Sequence, residues 1–342
     1  MLPLEELLKK AGEVGASDVH LSVTSPPVFR IDGDLKALGN ETLTNEHLAE
    51  FVKALTNQQQ LRIFEEKGEL DFSYGISGLG RFRVNIFRQR GSIGIVMRLI
   101  PFTVRSPEEL GLPAAITNFA TLPRGLVLVT GPTGSGKSTT LASLINLINN
   151  TRSGHIITVE DPIEYLHQHR KCLVNQREVG QDTQSFANAL RAALRQDPDI
   201  ILVGEMRDLE TIAMAVTAAE TGHLVFSTLH TNDASQAIDR IIDVFPPHQQ
   251  TQIRVQLASV LQGIVAQQLF PLLNRRGRVA AYEILLATPA VRNMIREGKT
   301  HQIKNIIQTS SQLGMQSMEK AVEELVKNGL ISPQLARERL QG

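Results

Sequence analysis

Gly131-Pro-Thr-Gly-Ser-Gly-Lys137-Ser138 matches G-x-x-x-x-G-K-[ST] at every fixed position. An apolar run precedes it and a helical pattern from Thr139 to Asn149 follows. Glycines let successive backbone N–H groups turn inward around phosphate oxygens, and a helix N-terminus adds positive potential. Gly131, Pro132, Thr133, Gly134, Ser135, Gly136, Lys137, Ser138 and Thr139 are therefore the expected nucleotide-binding residues. Lys137 would reach the β- and γ-phosphates of ATP, and the Ser138 hydroxyl would ligate Mg2+.

Two further apolar runs end in acids. Ile156 to Glu160 leads into Asp161, Pro162, Ile163 and Glu164. Ligand chemistry in parallel sheets gathers at the carboxyl ends of strands. A carboxylate there can orient or deprotonate the water that attacks the γ-phosphate. Spacing does not rank Glu160, Asp161 and Glu164, and solvated loop acids give the same pattern. Asp199 to Val203 runs into Gly204, Glu205, Met206, Arg207 and Asp208. Its layout is that of a Walker-B strand, whose terminal acid holds Mg2+ directly or through water. Glu205 stands where Asp is usual, which favours the water-mediated role; a helix-capping charge is the plainer alternative.

His223 and His230 bracket another apolar run. In a strand they point to opposite faces roughly 23 Å apart, so they share no metal, although one at a strand end can sense the γ-phosphate or a nearby acid. His167 and His169 read as a polar loop, since no further metal ligands accompany them. Arg81 and Arg83 alternate with Phe82 and Val84, so both guanidinium groups leave one strand face. That group suits bidentate phosphate contact, against the plain reading of an exposed polar face. Asn274-Arg-Arg-Gly-Arg278 reads as a hairpin turn.

These residues need two kinds of scaffold. From the N-terminus, a helix over Leu4–Ala11, a strand at Val19–Val23 and a hairpin turning at Asp32-Gly33 are expected. Helices from Thr44 to Leu55 and Asn57 to Lys67 precede strands at 70–76, 81–88 and 93–100. That is a small α+β domain over residues 1–100. Pro101, Pro107 and Pro113 mark residues 101–113 as a linker. From 114 to 342 the pattern is short apolar strands (126–130, 156–160, 200–204, 224–229) between helices, which predicts an α/β domain with a parallel sheet. Beyond Thr288 only helices are expected. One of them, Ala290 to Glu297, has Val291, Met294 and Ile295 on an inward face and Arg292 and Arg296 on another, so both arginines should be removable without loss of the helix.

Composition narrows the classes. Thirty-five basic residues balance thirty-five acidic ones and aromatics reach 4% without Trp, which disfavours a nucleic-acid partner. The single Cys172 excludes a disulfide framework and a four-cysteine zinc site. No apolar run approaches the ~18 residues of a spanning helix, and acids stand near Met1 where a signal peptide has basic residues. A soluble, cytoplasmic protein is expected.

In this order the motifs resemble the secretion ATPase superfamily of type II secretion and type IV pilus motors, in particular the type IV pilus retraction ATPases (PilT family). Leu194-Arg-Gln-Asp-Pro-Asp-Ile-Ile-Leu-Val-Gly-Glu-Met-Arg-Asp208 is similar to the superfamily signature, Ile157–Glu164 to its Asp box and Gly222–His230 to its His box. Ala290–Glu297 resembles the AIRNLIRE element of retraction motors, departing at Val291 and Met294, and is expected to couple hydrolysis to work. The assembly and secretion branches carry a longer N-terminus and often a zinc element, and neither is expected for this chain. The resemblance implies a PAS-like N-terminal domain, a RecA-like P-loop ATPase domain and an all-helical C-terminal tail. It also implies a homohexamer that hydrolyses ATP with Mg2+ to retract pili for twitching motility. Such a motor acts on the platform protein at the inner face of the cytoplasmic membrane. Glu164 would be the base, Glu205 the Walker-B acid, and Arg81 and Arg83 would complete the site. An assembly or secretion ATPase is the near alternative; a RecA-like nucleic-acid translocase is the distant one.

Overall fold

Helix starts are written into the chain by capping residues. Thr44 and Asn57 each accept the N–H three residues on, from His47 and Gln60, whose side chains return the bond to the cap N–H. Each such box stabilises a helix start by about 1 kcal/mol. The computed structural model describes residues 3–31, 33–76, 79–100, 103–273 and 277–341.

The chain divides into two units. One comprises residues up to Thr103 together with Glu164–Leu166; the other comprises Val104–Ile163 and the chain from His167 onward. Residues 104–113, expected as linker, thus fall within the second unit. Ser106 caps the short helix Pro107–Leu110, which packs on the helix Lys137–Thr151.

The first unit is an antiparallel sheet with helices Leu4–Glu13, Asn45–Leu55 and Gln58–Lys67. Its strands are β1 (Asp18–Ser22), β2 (Val28–Ile31), β3 (Asp34–Ala37), β4 (Glu69–Ile76), β5 (Gly80–Gln89) and β6 (Ser92–Ile100), in the order β3-β2-β1-β6-β5-β4. Ile31 pairs with Asp34, as the expected two-residue turn requires, though Asp32 lies outside the described residues. The helices close one apolar core with Val19, Phe82, Val84 and Met97.

The second unit holds β7 (Gly125–Thr130), β8 (Gly154–Glu160), β9 (Cys172–Glu178), β10 (Ile200–Val203), β11 (Leu224–Leu229), β12 (Leu261–Pro271) and β13 (Arg278–Leu286). Their order is β13-β12-β7-β11-β10-β8-β9, parallel except for the β12–β13 hairpin. β12 and β13 pair antiparallel on either side of the turn expected at 274–278, whose residues 274–276 lie outside the described ones. Alternate residues of β7 enter opposite cores, Leu126 and Leu128 on one side, Val127 and Val129 on the other. Burial on both faces is why those strands read as unbroken apolar runs. The α/β class, the smaller antiparallel domain and the helical segment after Thr288 are as expected; β9, β12 and β13 are additions to the four strands read from the sequence.

Candidate nucleotide site

All six residues of β7 are buried, and the chain leaves that strand directly into the loop 131–136. Gly131, Gly134 and Gly136 have φ of 141, 80 and 91°, a region that L side chains avoid. At Gly131 space forbids a side chain as well, because a Cβ would lie 2.3 Å from the Gln267 carbonyl oxygen of β12. At Gly134 nothing lies within 4 Å, so the loop is open there. The following helix begins at Lys137 with Gly136 as N-cap and no side-chain cap, which leaves its first N–H groups to a ligand. Thr140, one turn in, donates its hydroxyl to Gln267 Oε1 at 2.8 Å and ties the helix to β12.

Lys137 is 8% exposed, and its ammonium group donates to the carbonyls of Gly131 at 2.8 Å and Pro132 at 3.1 Å. Burial lowers its pKa, and the charge of Glu205 opposes that shift. Ser135 Oγ is buried with no hydrogen-bond partner among the described residues, whereas Ser138 is exposed at the helix start. An open glycine turn, a lysine folded onto its own loop and an orphaned hydroxyl together fit the phosphates of a nucleotide.

The parallel register brings the ends of β8, β10 and β11 alongside this loop. Glu160 is buried and accepts from Thr158 Oγ1 at 2.7 Å and from the Gln176 amide at 3.3 Å. Those bonds commit one of its oxygens. Asp161 and Glu164 are exposed in the loop that follows. Glu205 Oε2 lies 2.7 Å from Arg207 Nε and 3.4 Å from His230 Nε2. The helix cap is supplied instead by Asp208, which accepts the Thr211 N–H at 2.9 Å. Thr228 Oγ1 donates to the Gly204 carbonyl at 2.6 Å and locks the ends of β10 and β11 together.

His230 and His223 part company. His230 follows the carboxyl end of β11, near Glu205. His223 precedes the amino end of that strand, where its Nδ1 lies 2.8 Å from the Ala218 carbonyl and 3.2 Å from Thr221 Oγ1. Within one chain the structure does not bring His223 to the phosphate loop, a correction that follows from strand direction. His169 Nδ1 accepts the Val174 N–H at 3.0 Å, in keeping with a polar loop. No cluster of three metal-ligating side chains occurs among the described residues. Arg81 is half-buried and Arg83 exposed on β5, alternating with the fully buried Phe82 and Val84.

Arg292 also departs from expectation. Its Nη1 donates to the carbonyls of Ala258 at 2.6 Å and Ser259 at 2.8 Å, and its Nε to Ala287 at 3.0 Å. It closes the end of the helix Pro247–Val260 and is half-buried rather than solvated. Val291 and Ile295 are buried as the spacing predicts, with Met294 packed against the same core, and Arg296 is exposed. Sequence reasoning missed Gln267 and Glu178. Glu178, an acid inside an apolar-alternating stretch, is 2% exposed and accepts the Ile163 N–H at 3.0 Å.

A family model described as Type II/IV secretion system protein matches residues 2–337. The chain is similar to the type IV pilus retraction ATPase PilT of Pseudomonas aeruginosa, at 51% identity over 338 residues, 99% of this chain and 98% of that protein. It is similar to a twitching motility protein of Neisseria gonorrhoeae at 50% identity over 315 residues, 92% of this chain and 84% of that protein. The crystal structure of the pilus retraction motor PilT with bound ADP superposes with a TM-score of 0.92 at 49% identity. It covers 99% of this chain and 97% of that one.

Proposed function

The chain belongs to the type II/IV secretion system protein family, and on that premise we propose that it is the ATP-hydrolysing motor that retracts type IV pili and so drives twitching motility. The observation that carries this reading is the open phosphate loop beside acid-ended strands, in a chain matched over 99% of its length by a retraction ATPase.

In this reading Lys137 leaves the carbonyls of its own loop for the β- and γ-phosphates, where its charge opposes the charge that grows during transfer. Loop N–H groups hold the remaining phosphate oxygens. Ser138 and Glu205 would hold Mg2+, Glu205 directly or through water, and the bound ion neutralises phosphate charge. Glu164 takes the proton of the attacking water. Glu160 is less suited to that task because it is buried and its Oε1 already accepts from Thr158 and Gln176. His230 ties the state of the nucleotide to Glu205 across 3.4 Å. Arg81 and Arg83 add positive charge on the phosphates. The working form is a homohexamer on the pilus platform protein, at the inner face of the cytoplasmic membrane, with no nucleic acid. No described helix is long and apolar enough to cross a membrane.

Steady-state hydrolysis by the purified chain tests the chemistry. Glu164→Gln should bind ATP and turn it over on the order of 10² times more slowly; if Glu160→Gln is the crippled variant instead, the choice of base is wrong. Mixing inactive Lys137→Ala chains with inactive Arg81→Ala/Arg83→Ala chains should restore some activity if the arginines act across subunits. A strain lacking the gene should carry excess pili and not twitch. A strain without pili would mark an assembly motor, and strong stimulation by single-stranded DNA would mark a translocase.

A further inference from the structure

The edge strand β9 grips the loop after β8 at two points. Gln176 and Glu178 are two residues apart, hence on one face, and lie in register beside Thr158 and Glu160 of β8. Glu178 Oε2 accepts the Ile163 N–H at 3.0 Å, and Gln176 Oε1 accepts the His167 N–H at 2.8 Å. Both grips are themselves held. The Asp182 carboxylate accepts the Glu178 N–H at 2.8 Å, and the Gln176 amide donates to Glu160 at 3.3 Å. The two gripped amides bracket residues 164–166, so Glu164 is carried on a short span anchored on both sides.

A loop at a strand end normally satisfies its N–H groups with water or backbone carbonyls. A buried carboxylate in that role carries a desolvation cost, which a charge-assisted bond to an otherwise orphaned N–H offsets. What the arrangement adds is placement. We propose that Gln176 and Glu178 are positioning residues that hold the Glu164 segment in the geometry needed for hydrolysis, a proposal that rests on Glu164 being the general base. A base must sit within hydrogen-bond reach of the proton it takes, and a misplacement near 1 Å costs up to about 10²-fold. The clamp bonds described above run to the loop after β8, to Glu160 and to Asp182, so the clamp should act on turnover and not on nucleotide affinity.

The test uses the full chain. Gln176→Leu and Glu178→Leu keep volume but accept nothing; Glu178→Gln retains an oxygen for the Ile163 N–H. Expected are a kcat lowered about tenfold or more in both leucine variants, an ADP Kd within twofold of wild type, and kcat largely restored in Glu178→Gln. A kcat within twofold of wild type in the folded leucine variants overturns the clamp, as does an equal loss of ADP affinity or a Glu178→Gln variant as slow as Glu178→Leu. Hydrogen exchange on the unmodified protein is the second measurement, independent of whether the variants fold. The Ile163 and His167 amides should exchange slowly, and fast exchange overturns the proposal. Glu164→Gln separates the two claims: slow turnover there with normal turnover in the leucine variants removes the clamp alone, whereas normal turnover in Glu164→Gln removes the assignment of the base.

Discussion

At the amino ends of the parallel strands His155 has both ring nitrogens 3.1 Å from a partner, the Asp197 carbonyl and Asn175 Oδ1, while Asp199 accepts the His155 N–H at 2.8 Å. His223 is tied to Ala218 and Thr221, and Arg292 to three carbonyls before and beside β12. At the carboxyl ends the same residue types are left with work to do. Among the described residues Lys137 donates to carbonyls of its own loop, and His230 stands 3.4 Å from Glu205. The buried Ser135 Oγ and His167 Nδ1 have no partner among the described residues. Polar groups saturated by near neighbours hold a rim together. Polar groups left unsaturated in a buried setting cost free energy that a ligand can recover. The contrast is the one expected if the proposed chemistry lies at the carboxyl rim and the amino rim serves as support.

The largest blow to the carboxyl rim should come from Lys137→Ala. It removes the charge opposed to the transferring phosphoryl group, so turnover should fall at least several-hundredfold while the fold persists. Near-normal hydrolysis by the folded variant would end the assignment of the loop.

His167 sharpens the comparison through pH. Burial holds its ring neutral, with a pKa pushed down to about 4. The unfolded chain takes up that proton near 6.5, the folded chain only near 4, so the stability is full above about pH 6.5 and is lost as pH falls towards 4. The loss is on the order of 3 kcal/mol, at about 1.4 kcal/mol per pKa unit. Urea unfolding between pH 7 and pH 4.5 should show this slope in the wild type and a flatter one in His167→Gln. Equal slopes would place the titration elsewhere.

At the amino rim, Arg292→Ala should cost about 2 kcal/mol of stability, since charge-assisted bonds to three carbonyls are lost. Hydrolysis per folded chain should stay within twofold. The sequence-based expectation that Arg292 and Arg296 can be removed together without structural loss therefore fails at Arg292, and the exposed Arg296→Ala is the cleaner probe of coupling to pilus work. The smallest pair is the most discriminating. His230→Asn should lower kcat by about tenfold with little change in thermal stability, and His223→Asn should cost about 1 kcal/mol and leave turnover alone. Reversed effects would dissolve the distinction between the rims.

Much of this was legible in the chain because its signals are local. Capping boxes at Thr44 and Asn57 set helix starts within a residue, the alternation Arg81-Phe82-Arg83-Val84 told a half-buried strand, and the glycine spacing of 131–136 required the backbone that is found. Strand β9 was not legible. It is an edge strand with exposed Leu173 and Asn175 and polar Gln176 and Glu178, so it lacks the unbroken apolar run that revealed its neighbours. The pairing of Gln267 with Thr140 spans 127 positions and left no periodic trace.

The sequence by itself determined the fold class, the phosphate loop and the family, because each depends on residue types at fixed short spacings. Only the tertiary structure decided where several similar side chains lie relative to that loop. Strand direction separates His230 from His223 across one strand. Register sets Gln176 and Glu178 beside Thr158 and Glu160, and helix packing turns Arg292 from a solvated charge into a cap. Those choices rest on contacts between distant residues, whose distances follow from how strands and helices pack and not from the order of the residues that form them.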